Sequence, residues 1–161
     1  DDQVNLSSGD DELLMQKISK ETDYQIKFCI NKEAIVKTSP NKSLRQFYQQ
    51  RKRWASKGLF YADKFLILKL ILIFSFYAGL LLQLFLAVFI NNIFYLTFII
   101  SLLIKIILEY LILRKGVKIL FSKKILSKFW IAELLHVPYI IIAGISGALG
   151  NYEWKSRKIA R

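Results

Sequence analysis

A short basic segment that ends in tryptophan has residue types and spacing suited to binding a phosphate and a sugar. Residues 50–54 read Gln-Arg-Lys-Arg-Trp. On a helix Gln50, Arg53 and Trp54 stand at i, i+3 and i+4 and therefore share one face. The Arg53 guanidinium offers a rigid fork of donors that matches phosphate oxygens, and Gln50 adds an amide beside it. The Trp54 indole supplies a flat ring on which a sugar can lie and an N–H that donates a hydrogen bond.

The same segment also fits a role at a membrane edge, because an apolar stretch begins at residue 65. Arg and Lys side chains at such an edge contact lipid headgroups, and Trp anchors the interface. The residues alone leave both interpretations open. In either one, Arg51 and Lys52 are assigned to headgroup or structural contacts.

An acidic run upstream is the second candidate site. Asp10, Asp11 and Glu12 follow Gly9, and Ser8 and Asp11 have the spacing of a capping box. Acids in a first helical turn complement the helix dipole, so the run can be purely structural. Alternatively, a carboxylate held rigidly at a helix start can act as a general base that takes a proton from a hydroxyl.

Secondary-structure patterns place these residues on separate elements of the soluble part. Residues 24–30 and 33–38 alternate apolar and polar side chains, which predicts a two-stranded hairpin. Cys29 is expected to be a buried residue of that hairpin, and a single cysteine excludes an internal disulfide or a CxxC metal site. Ser43 is predicted to cap a helix that runs through Trp54.

Long apolar stretches predict membrane helices in the second part. Residues 65–90 and 93–113 are each long enough to span a bilayer, and Asn91-Asn92 form the break between them. These two helices should pack as an antiparallel hairpin. Residues 129–149 form a third hydrophobic segment, which we expect either to span the membrane or to form a short re-entrant or interfacial hairpin.

Charged residues within these stretches have two interpretations. Lys105 and Glu109 are one helical turn apart and can pair on one face, and charges at membrane depth often mark functional interiors. Lys105 can instead snorkel to the interface. The one histidine, His136, lies in an apolar context and is expected to be packed or interfacial rather than a ligand.

Charge distribution indicates which side each segment faces. Residues 114–128 hold six Lys/Arg and no acid, so the positive-inside rule places this loop and residues 52–64 in the cytosol. The tail, residues 150–161, is also basic. A full third crossing would place that tail outside, whereas a re-entrant segment would keep it inside, and the sequence does not decide between them.

Composition divides the chain near residue 64. Residues 1–64 carry twelve Lys/Arg and nine Asp/Glu, whereas residues 65–161 carry twelve and three. The net charge of +12 therefore comes mainly from residues that flank membrane segments, which argues against nucleic-acid binding. The chain begins with aspartate and has no signal-peptide pattern, so we expect it to be the C-terminal piece of a longer protein.

The order of these features resembles the C-terminal half of membrane-embedded family 2 glycosyltransferases, which include cellulose, chitin, hyaluronan and poly-N-acetylglucosamine synthases and ceramide glucosyltransferases. Residues 50–54 match the Gln-x-x-Arg-Trp signature of that family. Residues 9–11 stand where the family carries a Thr-Glu-Asp or Gly-Asp-Asp motif. Residues 152–157 are similar to a Trp-Lys-Gly-Arg ending of some members, with Ser156 in place of the glycine.

The resemblance implies a role for each motif residue. Asp11 would be the catalytic base that deprotonates the acceptor hydroxyl, and Asp10 would contribute to substrate binding. Gln50 and Arg53 would hold the donor diphosphate, and Trp54 would contact the acceptor sugar. The implied reaction inverts the sugar's configuration as it passes from a nucleotide-diphosphate donor to a polysaccharide or lipid-linked acceptor.

The resemblance also implies a fold and an organisation. The fold expected is an α-helical membrane protein with a small α+β cytosolic remnant, the C-terminal portion of a GT-A-type glycosyltransferase. The expected segments are the cytosolic part (1–64), a transmembrane hairpin (65–113), a basic cytosolic loop (114–128), the third hydrophobic segment (129–149) and a basic tail (150–161). The implied location is the bacterial inner membrane, with a membrane partner subunit as a further expectation.

One departure from the family limits what this chain can do alone. The family's metal site is an Asp-x-Asp motif that binds Mg²⁺ or Mn²⁺, and no Asp-x-Asp occurs in these 161 residues. We therefore expect no metal ligand in this chain and no turnover without the nucleotide-binding half. The alternative is a non-catalytic membrane anchor or assembly subunit whose basic loops bind anionic lipid.

Overall fold

The chain is mainly α-helical in the computed structural model, which describes residues 10–58, 61, 63–119, 123–149, 152–154 and 157–159. The helices and strands in these ranges are α1 (Asp10–Glu21), α2 (Leu44–Lys57), α3 (Lys64–Phe89), α4 (Ile93–Ile119), α5 (Phe129–Leu149), β1 (Tyr152–Trp154) and β2 (Arg157–Ile159). Short 3-10 helices occupy Lys32–Ala34 and Lys123–Lys128.

Three helices are long and apolar enough to cross a membrane, namely Lys64–Phe89, Ile93–Ile119 and Ile125–Leu149. A helix satisfies its backbone hydrogen bonds internally, so it can expose apolar side chains to lipid without leaving polar groups unpaired. The chain therefore has the architecture of an α-helical membrane protein.

The chain divides into two compact units. The first comprises Asp1–Phe28, Thr38–Leu72 and Ile142–Arg161, and the second comprises Cys29–Lys37 and Ile73–Ile141. The first unit contains α1, α2, the beginning of α3, the end of α5 and the two strands. The second contains most of α3, all of α4 and the first half of α5.

Helix α2 begins where the sequence predicts. Ser43 is its N-cap, with an extended backbone and a side-chain Oγ that accepts a hydrogen bond from the Gln46 N–H at 3.2 Å. The helix continues past Trp54 to Lys57, and the Gly58 N–H donates to the Ala55 carbonyl. The prediction of a capped helix through Trp54 is confirmed.

The hairpin predicted between residues 24 and 38 is wrong. Residues 24–31 form no regular structure, and Lys32–Ala34 form a 3-10 turn in which the Asn31 side chain accepts a hydrogen bond from the Glu33 N–H at 3.0 Å. Nearly all of this segment is exposed, and Cys29 is exposed too rather than buried as expected. An isolated two-stranded hairpin is marginal in water, so alternation of residue types does not produce strands where no partner covers them.

Helices α3 and α4 form the predicted antiparallel hairpin. The chain turns at residues 90–92, where Asn91 Oδ1 accepts a hydrogen bond from the Ile93 N–H at 2.9 Å and so caps α4. Helix α3 is capped in the same way, because Asp63 Oδ1 accepts hydrogen bonds from the backbone N–H groups of Phe65 and Leu66. Helix α4 extends to Ile119, so residues 114–119 of the basic segment are helical.

The third hydrophobic segment is one continuous helix. Helix α5 runs from Phe129 to Leu149 with Pro138 inside it. The re-entrant hairpin that the sequence left open is therefore not formed within these residues. Beyond the helix, β1 and β2 pair antiparallel, with Glu153 opposite Lys158.

Candidate functional site

An open cleft in the first unit brings two of the predicted site residues together. Its volume is about 530 Å³. It is lined by Asp11, Glu12, Met15, Trp54, Lys57 and Tyr61. The cleft therefore joins the acidic start of α1 to the tryptophan of α2, although these residues are far apart in the sequence.

The acidic side of the cleft is the first turn of α1. This helix begins at Asp10, and Leu13 is buried on its inner face with 5% of its surface exposed. Asp11 is exposed, and Glu12 is half-buried. Acids in the first turn of a helix are stabilised by the helix dipole, so both carboxylates are compatible with the start of this helix.

Tyr61 lies across from these acids. Its hydroxyl donates a hydrogen bond to the Glu12 carboxylate. Burial of the phenol, followed by this hydrogen bond and by the negative charges of Glu12 and Asp11, raises the pKa of Tyr61 above its ordinary range. The cleft thus contains a neutral phenol bound to one carboxylate, beside a second carboxylate that is exposed.

The aromatic side of the cleft is Trp54, which has 45% of its surface exposed. The Arg51 guanidinium lies 4.6 Å from the centre of the Trp54 ring and 4.9 Å from the centre of the Phe47 ring. Arg51 therefore makes structural contacts, as the sequence interpretation allowed, and its cation–π contacts help to fix the orientation of the indole.

Gln50 and Arg53 lie outside the described lining of the cleft. Asn41 Nδ2 donates a hydrogen bond to Gln50 Oε1 at 3.0 Å, which ties α2 to the segment before it. Arg53 is half-buried, and its backbone carbonyl accepts a hydrogen bond from Ser56 Oγ at 2.8 Å. The side chain of Asp10 lies outside the described part of the structure.

Sequence reasoning missed Lys57 and Tyr61 as members of this site. Lys57 stands three residues after Trp54, and that helical spacing could have placed it on the same side of α2. Tyr61 belongs to the link between α2 and α3, and nothing in its local sequence indicates that the link passes the acidic end of α1.

A second cluster of polar side chains lies within the membrane helices of the second unit. Lys105 has 3% of its surface exposed, and its Nζ lies 3.1 Å from Glu109 Oε2 and also contacts Glu133. His136 Nδ1 lies 2.9 Å from Glu109 Oε2. The Tyr77 hydroxyl donates a hydrogen bond to Glu109 Oε1 at 2.6 Å. The predicted Lys105–Glu109 pair is confirmed, and Lys105 is buried rather than snorkelling.

His136 has more polar contacts than the sequence indicated. Besides Glu109, its Nδ1 lies 3.4 Å from Lys105 Nζ, and its ring stacks on Tyr139 with centres 5.5 Å apart. The ring is packed, as predicted. The contacts of Glu133 and His136 with α4 could not be read from the sequence, because they depend on how α5 packs against α4.

Comparisons of the chain with protein-family models, curated proteins and solved structures found no match.

Proposed function

We propose that this chain is the acceptor-side and transmembrane part of an inverting, GT-A-type family 2 glycosyltransferase of a bacterial inner membrane. The observation that supports this best is the cleft that both Asp11 and Trp54 line. A cleft lined by a carboxylate and an exposed aromatic ring suits a ligand that has both hydroxyl groups and an apolar face of C–H groups, which is the chemistry of a sugar.

In the proposed reaction the acceptor sugar lies on Trp54 with one hydroxyl directed to Asp11. Asp11 removes the hydroxyl proton as the oxygen attacks the anomeric carbon of the donor sugar. The new carbon–oxygen bond forms as the bond to the diphosphate oxygen breaks, which inverts the configuration at that carbon. Glu12 is engaged by Tyr61, so Asp11 is the carboxylate of the pair that is more accessible to the acceptor.

Gln50 and Arg53 are proposed to hold the leaving diphosphate, because a guanidinium fork matches phosphate oxygens and neutralises their charge. Both belong to α2, the helix that carries Trp54. A phosphate contact by Arg53 would require its side chain to leave the interaction it makes in this structure.

The described residues that line the cleft do not fit the Mg²⁺ or Mn²⁺ ion that such transferases use. The sequence has no Asp-x-Asp, and Glu12 of the cleft already accepts a hydrogen bond from Tyr61. We therefore assign the ion's ligands and the binding of the nucleotide to the other half of the parent protein, and we propose that this chain alone does not turn over. The partners on this side are a glycan or glycolipid acceptor and the lipid bilayer.

The catalytic role of Asp11 can be tested in the parent protein that carries the nucleotide-binding half. It would be reconstituted in lipid and supplied with UDP- and GDP-hexoses and Mg²⁺ or Mn²⁺. Asp11→Asn removes the base and should lower the rate of sugar transfer by about 10²–10⁴-fold. Asp23→Asn is the matched control, because Asp23 is an exposed acid after the end of α1, and this variant should transfer at the parental rate.

The role of Trp54 can be tested by acceptor binding to the chain in lipid nanodiscs. Short oligosaccharides of glucose and of N-acetylglucosamine serve as probes, and saturation-transfer NMR detects binding. Trp54→Ala should abolish the signal, whereas Trp130→Ala should retain it, since Trp130 lies in α5 and does not line the described cleft. Full transfer by both Asp11→Asn and Trp54→Ala in the parent protein would overturn the proposal and favour a non-catalytic anchor that binds anionic lipid.

A further inference from the structure

The polar cluster in the second unit lies near the middle of two apolar helices. Tyr77 is near the centre of α3, and Lys105 is near the centre of α4, with the α5 residues Glu133 and His136 packed against them. Ionisable groups at membrane depth are costly unless they are paired, and they usually have a function. None of these residues lines the cleft of the first unit.

The cluster contains two carboxylates and one ammonium, so negative charges outnumber positive ones. Lys105 is the ammonium, and Glu109 and Glu133 are the carboxylates. Tyr77 on α3 and Tyr139 on α5 complete the titratable groups that face His136 in the described part of the chain. With a neutral imidazole and two ionised carboxylates, the cluster would have a net charge of −1.

A bound metal ion does not account for this excess of negative charge. Oxygen and nitrogen atoms of Glu109, Glu133 and His136 lie close enough together to hold one. However, Lys105 Nζ contacts Glu109 and Glu133 and lies 3.4 Å from His136 Nδ1. The ammonium thus already occupies the position of a cation among these atoms.

The contact between His136 and Glu109 points to a proton instead. Nδ1 and Oε2 are 2.9 Å apart, and a carboxylate oxygen can only accept, so a proton must lie on Nδ1 or on the carboxyl group. A neutral imidazole protonated at Nδ1 would satisfy this contact but would leave the net charge at −1. One additional proton, held as imidazolium or as carboxylic acid, makes the cluster neutral.

Exposure distinguishes the two acid–base pairs of the cluster. The side chains of Glu109 and His136 are each 25% exposed on the protein, whereas those of Lys105 and Glu133 are 2% and 9% exposed. The Glu109–His136 pair is therefore the more accessible part of the cluster, and the Lys105–Glu133 ion pair is the more deeply buried part.

We propose that this cluster is a proton-binding site within the membrane helices, which binds one exchangeable proton between His136 and Glu109 in addition to the proton of the Lys105 ammonium. The ligand is the proton itself. The site is independent of the proposed sugar transfer, because it shares no residue with the cleft.

The test uses the whole chain in liposomes, labelled with ¹⁵N-histidine. Because the chain has one histidine, every histidine signal reports on His136. At neutral pH we expect the ¹⁵N shifts of an imidazolium, or else an infrared band of a protonated carboxylic acid. A neutral imidazole together with the absence of that band would overturn the proposal.

Variants separate proton binding from a purely structural role. Glu109→Gln leaves one ammonium and one carboxylate, so the imidazolium signal, or the acid band, should be lost at the same pH. Glu133→Gln should have the same effect and serves as the second variant if the first fails to fold. The double variant Lys105→Met/Glu109→Gln restores the excess of negative charge and should therefore regain the additional proton.

Two control variants each remove one charge outside the cluster. Lys69→Met removes a lysine of α3 that lies against the Phe65 ring, and Glu21→Gln removes an exposed acid paired with Lys17. Both should retain the parental signal, and circular dichroism verifies the helical content of every variant. Loss of the signal in both controls, or an unchanged signal in well-folded Glu109→Gln and Glu133→Gln, would contradict the proposal.

Discussion

At the scale of single residues, the two clusters assign different tasks to the same types of side chain. In the cleft, Tyr61 binds Glu12, whereas Asp11 is exposed. The two adjacent carboxylates therefore have different surroundings. In the membrane helices, Glu109 accepts hydrogen bonds from Tyr77 and Lys105 and contacts His136. Neighbouring groups, rather than residue type, decide which carboxylate is accessible to a substrate.

The raised pKa of Tyr61 predicts a pH dependence. The folded chain retains this phenolic proton above a pH of about 10, where an unfolded tyrosine loses it. Because the unfolded state then binds fewer protons, the stability contributed by Tyr61 is present below about pH 10 and falls as the pH rises further. Tyr61→Phe should abolish this part of the alkaline loss of stability, which is measured as the unfolding midpoint against pH.

An optical titration checks the same group directly. The difference in phenolate absorbance between the parental and Tyr61→Phe chains reports on Tyr61. This difference should rise only at a pH above the range in which tyrosine ordinarily ionises. In Glu12→Gln one negative charge beside the phenol is lost, so Tyr61 should ionise at a lower pH than in the parental chain. Equal titration curves in the Glu12→Gln and parental chains would show that Glu12 does not hold the phenol.

At the scale of elements, the contact between α2 and the end of α5 depends on one glycine. A Cβ atom at Gly147 would lie 2.7 Å from Ala55 Cβ, 2.8 Å from the Lys52 carbonyl oxygen and 3.0 Å from the Ser56 nitrogen. Two of these three atoms are backbone atoms, which cannot rotate away. The absence of a side chain at residue 147 therefore permits α5 to approach the helix that carries Trp54.

Gly147→Ala should destabilise this packing by about 1–3 kcal/mol, the usual cost of overpacking a tight contact. The expected result is a lower unfolding midpoint of the reconstituted chain. Gly116→Ala is the matched control, since a Cβ there meets no atom within 4 Å, and it should leave the midpoint unchanged or slightly higher. A similar midpoint in both variants would contradict a close contact at Gly147.

At the scale of the whole molecule, contacts within the first unit indicate which side of the membrane the tail faces. The end of α5 packs against α2 through Gly147, and β1 also lies beside α2. Helix α2 precedes the first membrane helix, so its membrane side is the side on which α3 begins. We therefore expect the tail on the same side as α2, which is where the basic residues of the tail favour it. Because α3 and α4 already cross the membrane twice, this placement requires that α5 does not complete a third crossing.

Cysteine labelling in sealed vesicles tests this topology. In a Cys29→Ser background, cysteines introduced as Ser39→Cys, Asn91→Cys or Arg157→Cys are treated with a membrane-impermeant maleimide. Ser39→Cys and Arg157→Cys should be labelled together, and Asn91→Cys should be labelled only from the opposite side. Labelling of Arg157→Cys together with Asn91→Cys would instead establish a complete third crossing by α5.

The sequence by itself determined the two apolar helices α3 and α4, the turn at Asn91-Asn92 and the cap at Ser43, because apolar length and capping chemistry act within a few neighbouring residues. It also predicted the Lys105–Glu109 pair, which lies within one helical turn. It failed for residues 24–38, where alternating side chains form no strands without a covering partner. Only the tertiary structure decided that Tyr61 and Trp54 meet the start of α1, and that Glu133 and His136 meet Lys105. Those contacts join distant segments, and packing between helices, rather than any local pattern, brings such segments together.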